Sequence, residues 1–255
     1  MITNGWVLPT LPNQIFYGYS EEIFRDPGGV PFSVYGKCYW EFKRSPHALL
    51  IGGTGSGKTT ALKQITAAFI NTEKDSEIFL CTFKHKDDDF PFLTDGPHFA
   101  SYAHCGELFE AFYSRFLARL NGDDSARNLL LLVFDEWAGF LLSLEKKEQE
   151  ETLKKMGQIL MLGRSMNVQV VIAMQRPDAL FFKNGARDNF NLILAMGNLS
   201  ADGKHMVFSS EYVDQIQPCT KIGEGYALMG GSTFNKIRMP PPSLDIDKVL
   251  THKLQ

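Results

Sequence analysis

Two sets of residues in this chain have types and spacings that could do chemistry. The first is Gly52-Gly53-Thr54-Gly55-Ser56-Gly57-Lys58-Thr59, which fits G-x-x-x-x-G-K-[ST]; the second is the adjacent pair Asp135-Glu136. In the first, glycines let the backbone wrap an anion with its N–H groups turned inward, at a helix N-terminus whose dipole favours negative charge. Lys58 would reach the β- and γ-phosphates of a nucleoside triphosphate and the Thr59 hydroxyl would ligate Mg²⁺. Gly52, Gly53, Thr54, Gly55, Ser56, Gly57, Lys58, Thr59 and Thr60 are therefore the expected nucleotide-binding residues. In the second set, Asp135 is suited to hold Mg²⁺ through water opposite Thr59. Glu136 points away from its neighbour and can orient and deprotonate an attacking water.

Positioning these groups requires particular elements. Ala48-Leu49-Leu50-Ile51 reads as a buried strand leading into the glycine loop, and Thr60 to Ile65 as the first turns of the following helix. Leu129 to Phe134 reads as a fully buried strand that delivers the carboxylates at its carboxyl end. Strands are also expected at Glu77 to Phe83, Val168 to Met174 and Asn191 to Met196. Helices are expected at Glu107 to Leu120, with Phe109, Phe112, Phe116 and Leu120 on one face, and at Glu145 to Met166. This alternation predicts an α/β fold, a mostly parallel sheet with helices on both faces. Residues 1–46 read as a β-rich leader with a hairpin pair around Ser33–Phe42, residues 47–242 as the main domain and residues 243–255 as a short tail. The strand Val168–Met174 ends in Gln175-Arg176-Pro177, where an amide can sense a γ-phosphate.

Composition sets outer limits. The chain has 255 residues, 44% of them hydrophobic, enough for one substantial core. A net charge of −3 gives no global basic field, so any nucleic-acid contact must be local. Cys38, Cys81, Cys105 and Cys219 are scattered without a C-x-x-C pair, which suits a reducing compartment. His47, His85 and His104 show no metal-ligand spacing. Leu129 to Leu144 is the longest greasy stretch, and Asp135 and Glu136 interrupt it, so no membrane span is expected. A cytoplasmic location follows as the expectation.

Three segments carry a resemblance to a known family. They are Ser45 to Thr59 with its Pro46-His47, Phe134-Asp135-Glu136-Trp137-Ala138-Gly139-Phe140, and Leu162 to Pro177 ending in Ala173-Met174-Gln175-Arg176-Pro177. Over roughly residues 31–240 the chain resembles the FtsK/SpoIIIE group of hexameric DNA translocases within the FtsK–HerA superfamily. Gly223-Glu224-Gly225-Tyr226-Ala227-Leu228 looks like that family's closing hairpin. The resemblance implies a RecA-like P-loop ATPase that assembles as a ring, a hexamer, and threads double-stranded DNA through its centre. Lys58, Glu136 and Gln175 would then be catalytic, with ATP and Mg²⁺ as cofactors.

Two departures from the family shape the expectation. The family's trans-acting arginine falls in a stretch matched here by Leu199-Ser200-Ala201-Asp202-Gly203-Lys204. Lys204 would be a weaker finger, since a lysine is a point cation without the bidentate fork of arginine. Otherwise Arg164 or Arg187 supplies that charge, and Lys204 is a solvated helix residue. The second departure is the lack of a membrane segment and of a C-terminal winged-helix module. That favours a small mobilisation, coupling or packaging motor of a plasmid, transposon or phage, working with a relaxase or a membrane channel protein. DNA phosphates would be met by Lys183 and Arg187, in the loop Asp178 to Arg187. The mixed-charge run Phe83-Lys84-His85-Lys86-Asp87-Asp88-Asp89-Phe90 ranks lower for DNA because its aspartates repel phosphate. The competing reading is an FtsK-like ATPase of a protein secretion system.

Overall fold

A computed structural model of the chain describes residues 11–85, 89–177, 187–242 and 245–255. Its central strand β3 (Ala48–Gly52) is buried along its whole length, and its side chains divide between two apolar layers. Ala48 and Leu50 join one layer, while Leu49 and Ile51 join the other. Period-two alternation on a strand apolar at every position is what a sheet covered on both faces demands.

One ten-stranded sheet carries the fold, in the order β2-β1-β10-β9-β8-β3-β7-β6-β4-β5. Strands β4 (Glu77–Thr82), β5 (Phe99–Ser101), β6 (Leu130–Asp135), β7 (Val168–Met174) and β8 (Leu192–Met196) run parallel to β3. On the other side β9 (Glu224–Met229) and β10 (Thr233–Arg238) form an antiparallel hairpin against β8. The hairpin of β1 (Ile15–Arg25) and β2 (Pro31–Trp40) joins this sheet through β10 alone, at Tyr19 and Ser20. Beyond that junction Ile23, Phe24, Val30, Phe32, Val34 and Tyr35 are exposed, and Phe24 and Phe32 stack across the ribbon at 6.0 Å.

Helix α1 (Lys58–Thr72) and α7 (Ile246–Leu254) cover one face, together with the buried base of the β1–β2 hairpin. Ile246, Leu250 and Leu254 recur every fourth residue and make α7 an amphipathic helix packed against α1, within the stretch read from sequence as a tail. Helices α2 (Cys105–Asn121), α3 (Trp137–Ser143), α4 (Lys146–Leu162) and α5 (Ala201–Val207) cover the other face, with the single turn α6 (Ser210–Val213) after them. In α2 the expected stripe Phe109, Phe112 and Phe116 is fully buried. The helix expected to reach Met166 stops at Leu162 and tightens to a 3-10 turn over Gly163–Met166. There the chain folds back so closely that a Cβ on Gly163 would lie 3.0 Å from the Val168 carbonyl.

Candidate functional site

All six parallel strands end at the same edge of the sheet, so the loops that follow them share one crevice. Side by side in the order β3, β7, β6, β4, they deliver the glycine loop, Gln175, Asp135-Glu136 and Lys84. With neighbouring strands ~4.8 Å apart, the loop after β3 lies about 10 Å from the end of β6. A lysine side chain and a carboxylate that reach towards each other close that gap.

The glycine loop holds the geometry its spacing predicts. Gly55 and Gly57 adopt φ of +78° and +93°, a left-handed region closed to most side chains. Gly57 is the N-cap of α1 and no side chain caps that helix, so its first N–H groups face the loop. The loop is also tied from behind. Ser56 accepts a backbone bond from Gly223 N at 3.1 Å, and a Cβ on Gly57 would stand 3.2 Å from that same nitrogen.

Lys58 is buried, and its Nζ donates to Asp135 Oδ1 at 2.7 Å and Glu136 Oε1 at 2.9 Å. Asp135 is fully buried at the last position of β6, and Glu136 follows it with φ of +59°. A non-glycine residue in that region is strained, and such strain gathers at functional sites because the surroundings must enforce it. It turns the Glu136 carboxylate away from the direction the strand would give it.

A cavity of about 500 Å³ opens over these groups. Its walls include Gly53, Thr54, Gly55, Gly57, Lys58, Thr59 and Thr60 from the loop and helix, with Glu136 and Gln175 opposite. Gly52, Ser56 and Asp135 stand behind this wall, and the Ser56 hydroxyl is buried without a hydrogen-bond partner among the described residues. The fold thus brings together the glycine loop, Lys58, Thr59, Asp135, Glu136 and Gln175.

Three further residues line the cavity that sequence reasoning had not assigned to it: Lys84, Asp89 and Ile222. Lys84 Nζ bonds Asp89 Oδ2 at 2.9 Å and stands 3.5 Å from Asp135 Oδ2 and 3.4 Å from Glu136 Oε1. Burial opposes its charge, but the Asp135, Asp89 and Glu136 carboxylates outweigh that and hold the ammonium well above lysine's ordinary range. The available signal was a lysine placed two residues beyond a buried strand in the run Lys84 to Asp89. It was hidden by mixed charge that also suits a solvated loop.

The expected trans-acting and DNA-contacting cations lie elsewhere. Lys204 sits on α5, whose start is capped by Ser200 Oγ accepting from Gly203 N, outside the cavity wall. Arg164 is exposed in the 3-10 turn that precedes β7, at the opposite edge of the sheet. Arg187 also lies before the amino end of its strand, β8; its Nη1 donates to Met206 O at 3.0 Å and its Nε stands 3.6 Å from Asp188. Lys183 lies outside the described residues. Among the described residues no cluster of three or more His, Cys, Asp or Glu side chains could hold a metal ion by itself. No helix among them is long and apolar enough to cross a membrane.

No protein-family model matches the sequence. A curated relative, an FtsK domain-containing protein of Bacillus subtilis named YdcQ, is 28% identical over 220 residues, covering 79% of this chain and 44% of that protein. The chain therefore spans less than half the length of that relative. Among solved structures, the pCW3 conjugation coupling protein TcpA in its monomer form with ATPγS matches at a TM-score of 0.70 and 15% identity. That match covers 97% of this chain and 71% of TcpA. The cytoplasmic domain of the type VII secretion ATPase EccC from Thermomonospora curvata matches at a TM-score of 0.63 and 19% identity, covering 99% of this chain and 32% of the other. At such identities the two structures establish the fold, that of a P-loop ATPase.

Proposed function

We propose, for a chain related to the FtsK-domain proteins and folded as a P-loop ATPase, that it is an ATP-driven translocase of double-stranded DNA. The observation that carries this reading is the convergence of the glycine loop, Lys58, Asp135, Glu136 and Gln175 on one cavity at one sheet edge. Phosphates fit the left-handed glycines and the uncapped start of α1. Among the described residues two lysines, Lys58 and Lys84, face three carboxylates, Asp89, Asp135 and Glu136, a balance that suits an added divalent cation. Mg²⁺ bound with the nucleotide, held by Thr59 and Asp135, would neutralise phosphate charge.

Lys58 leaves its carboxylates to hold the β- and γ-phosphates. Glu136 takes a proton from water as the water oxygen bonds to the γ-phosphorus and the bond to the bridging oxygen breaks. Gln175, at the mouth of the same cavity, reports whether a γ-phosphate is present. The chain works as a homo-oligomeric ring, in which Lys204, Arg164 or Arg187 of one subunit completes the site of the next. In a ring, one or two cations per subunit suffice to grip a duplex, because symmetry multiplies a weak contact. Lys183 and Arg187 are the proposed phosphate contacts. In this role the chain moves plasmid, transposon or phage DNA, with a relaxase or a membrane channel protein as partner.

The likeness to EccC along nearly the whole chain favours a second reading, an ATPase that acts on proteins for secretion. One experiment separates the two. ATP turnover by the purified chain is measured with and without linear duplex DNA, with Lys58→Ala as the inactive control. Stimulation by duplex of any sequence, lost steeply with added salt, supports translocation. Turnover indifferent to DNA overturns it in favour of secretion.

A further inference from the structure

Lys58 has two tasks that conflict. Among the described residues it is the closest cation to both Asp135 and Glu136, yet under the ATPase reading, on which this inference rests, it must turn to the phosphates. Asp135 is fully buried, and Glu136 sits on strained backbone that does not by itself fix where its carboxylate points. With Asp135 given to Mg²⁺, removing Lys58 from the pair leaves Glu136 in need of another partner.

Lys84 is placed to be that partner. Its backbone is launched from β4, which lies beside β6 with Thr82 opposite Asp135, and Phe83 N donates to the Asp135 carbonyl at 3.0 Å. Phe83 is wedged between Tyr102 and Phe140, with ring centroids 5.1 Å and 5.7 Å away. The side chain then reaches into the cavity, where Asp89 grips the ammonium at 2.9 Å and the two site carboxylates make longer contacts, Asp135 at 3.5 Å and Glu136 at 3.4 Å. A shift well under 1 Å tightens either contact. A lysine engaged by three carboxylates is turned inward, which sets it apart from a surface cation for DNA. We propose that Lys84, held by Asp89, is a positioning residue that keeps Glu136 aimed at the attacking water once Lys58 is engaged by phosphate.

The test compares wild type with Lys84→Met, Lys84→Arg and Asp89→Asn in the full chain, measuring kcat for ATP, binding of ATPγS and thermal melting. Lys84→Met is expected to lower kcat about 100-fold, the scale of a misplaced catalytic group, while ATPγS affinity stays within about threefold. Lys84→Arg is expected to recover most of the rate, and Asp89→Asn to fall between the two. Should Lys84→Met fail to fold, Lys84→Gln carries the same comparison. Wild-type kcat in the folded Met or Gln variant overturns the assignment, as does equal loss of kcat and ATPγS binding, which would make Lys84 a binding cation. A wild-type chain that neither binds ATPγS nor hydrolyses ATP instead overturns the ATPase reading itself.

Discussion

His47 offers a stability test that is independent of the nucleotide site. It is fully buried immediately before β3, and its Nδ1 accepts a hydrogen bond from Val170 N at 3.1 Å. Protonating that nitrogen breaks the bond and places a charge in the core. Burial therefore pushes its pKa down to about 4, against a smaller opposing pull from the Leu160 backbone. In the unfolded chain the value is ~6.5. A depressed folded value means that the unfolded chain takes up the proton first, so stability is full above pH ~6.5 and falls as pH drops towards 4. The gap of ~2.5 units corresponds to about 3 kcal/mol in all, of which about 2 kcal/mol is lost between pH 7 and pH 5. Urea unfolding followed by tryptophan fluorescence, with Trp40 and Trp137 both buried, reads this directly. His47→Asn is the reference, because asparagine tolerates the +64° φ found at this position and does not titrate. Wild type should lose about 2 kcal/mol more than the variant between those two pH values. Equal slopes for the two proteins would refute the account of a neutral, buried His47.

Other expectations concern turnover. Glu136→Gln should bind ATP, since Thr59 and Asp135 remain, but hydrolyse it at least ~10²-fold more slowly; loss of ATP affinity with hydrolysis retained would exchange the roles of the two acids. Lys204→Ala should lower turnover ~10³-fold without weakening ATPγS binding if it is the cation a neighbour supplies. Specific activity of the wild type should then rise with protein concentration, and a flat response measured beside sedimentation velocity refutes a shared site. Gly57→Ala should cost roughly 1–3 kcal/mol and most nucleotide affinity, because its new Cβ meets the Gly223 backbone at a strained φ; unchanged melting and binding would show that the loop has room.

Much of this was legible because the signals are local. The glycine loop, the apolar run ending at Asp135 and the strand ending in Gln175-Arg176-Pro177 each specify a strand and its carboxyl end without reference to the rest of the chain. What escaped depends on neighbours. Lys84 gains its place from the pairing of Thr82 with Asp135, a register that no short window reveals. The strand β5 has three residues, too few to show a period. The left-handed turn at Glu136 is imposed on a residue with no preference for it. By contrast the four-residue spacing of Ile246, Leu250 and Leu254 was present in the sequence, within a stretch short enough to read as a tail.

The contact behind the glycine loop has a mechanical consequence. Ser56 O is bonded to Gly223 N, Gly223 O to Met239 N at 2.8 Å, and Gly197 N to Glu224 O at 2.8 Å. Gly223 and Glu224 open the β9–β10 hairpin, and the far strand of that hairpin is what holds β1, at Tyr19 and Ser20. The phosphate loop and the exposed β1–β2 ribbon are thus opposite ends of one train of backbone bonds, with no flexible side chain in the line. The register of the ribbon is therefore set from the nucleotide side of the sheet by main-chain bonds alone, and any distortion at the loop has a route to it that needs no side chain to rearrange.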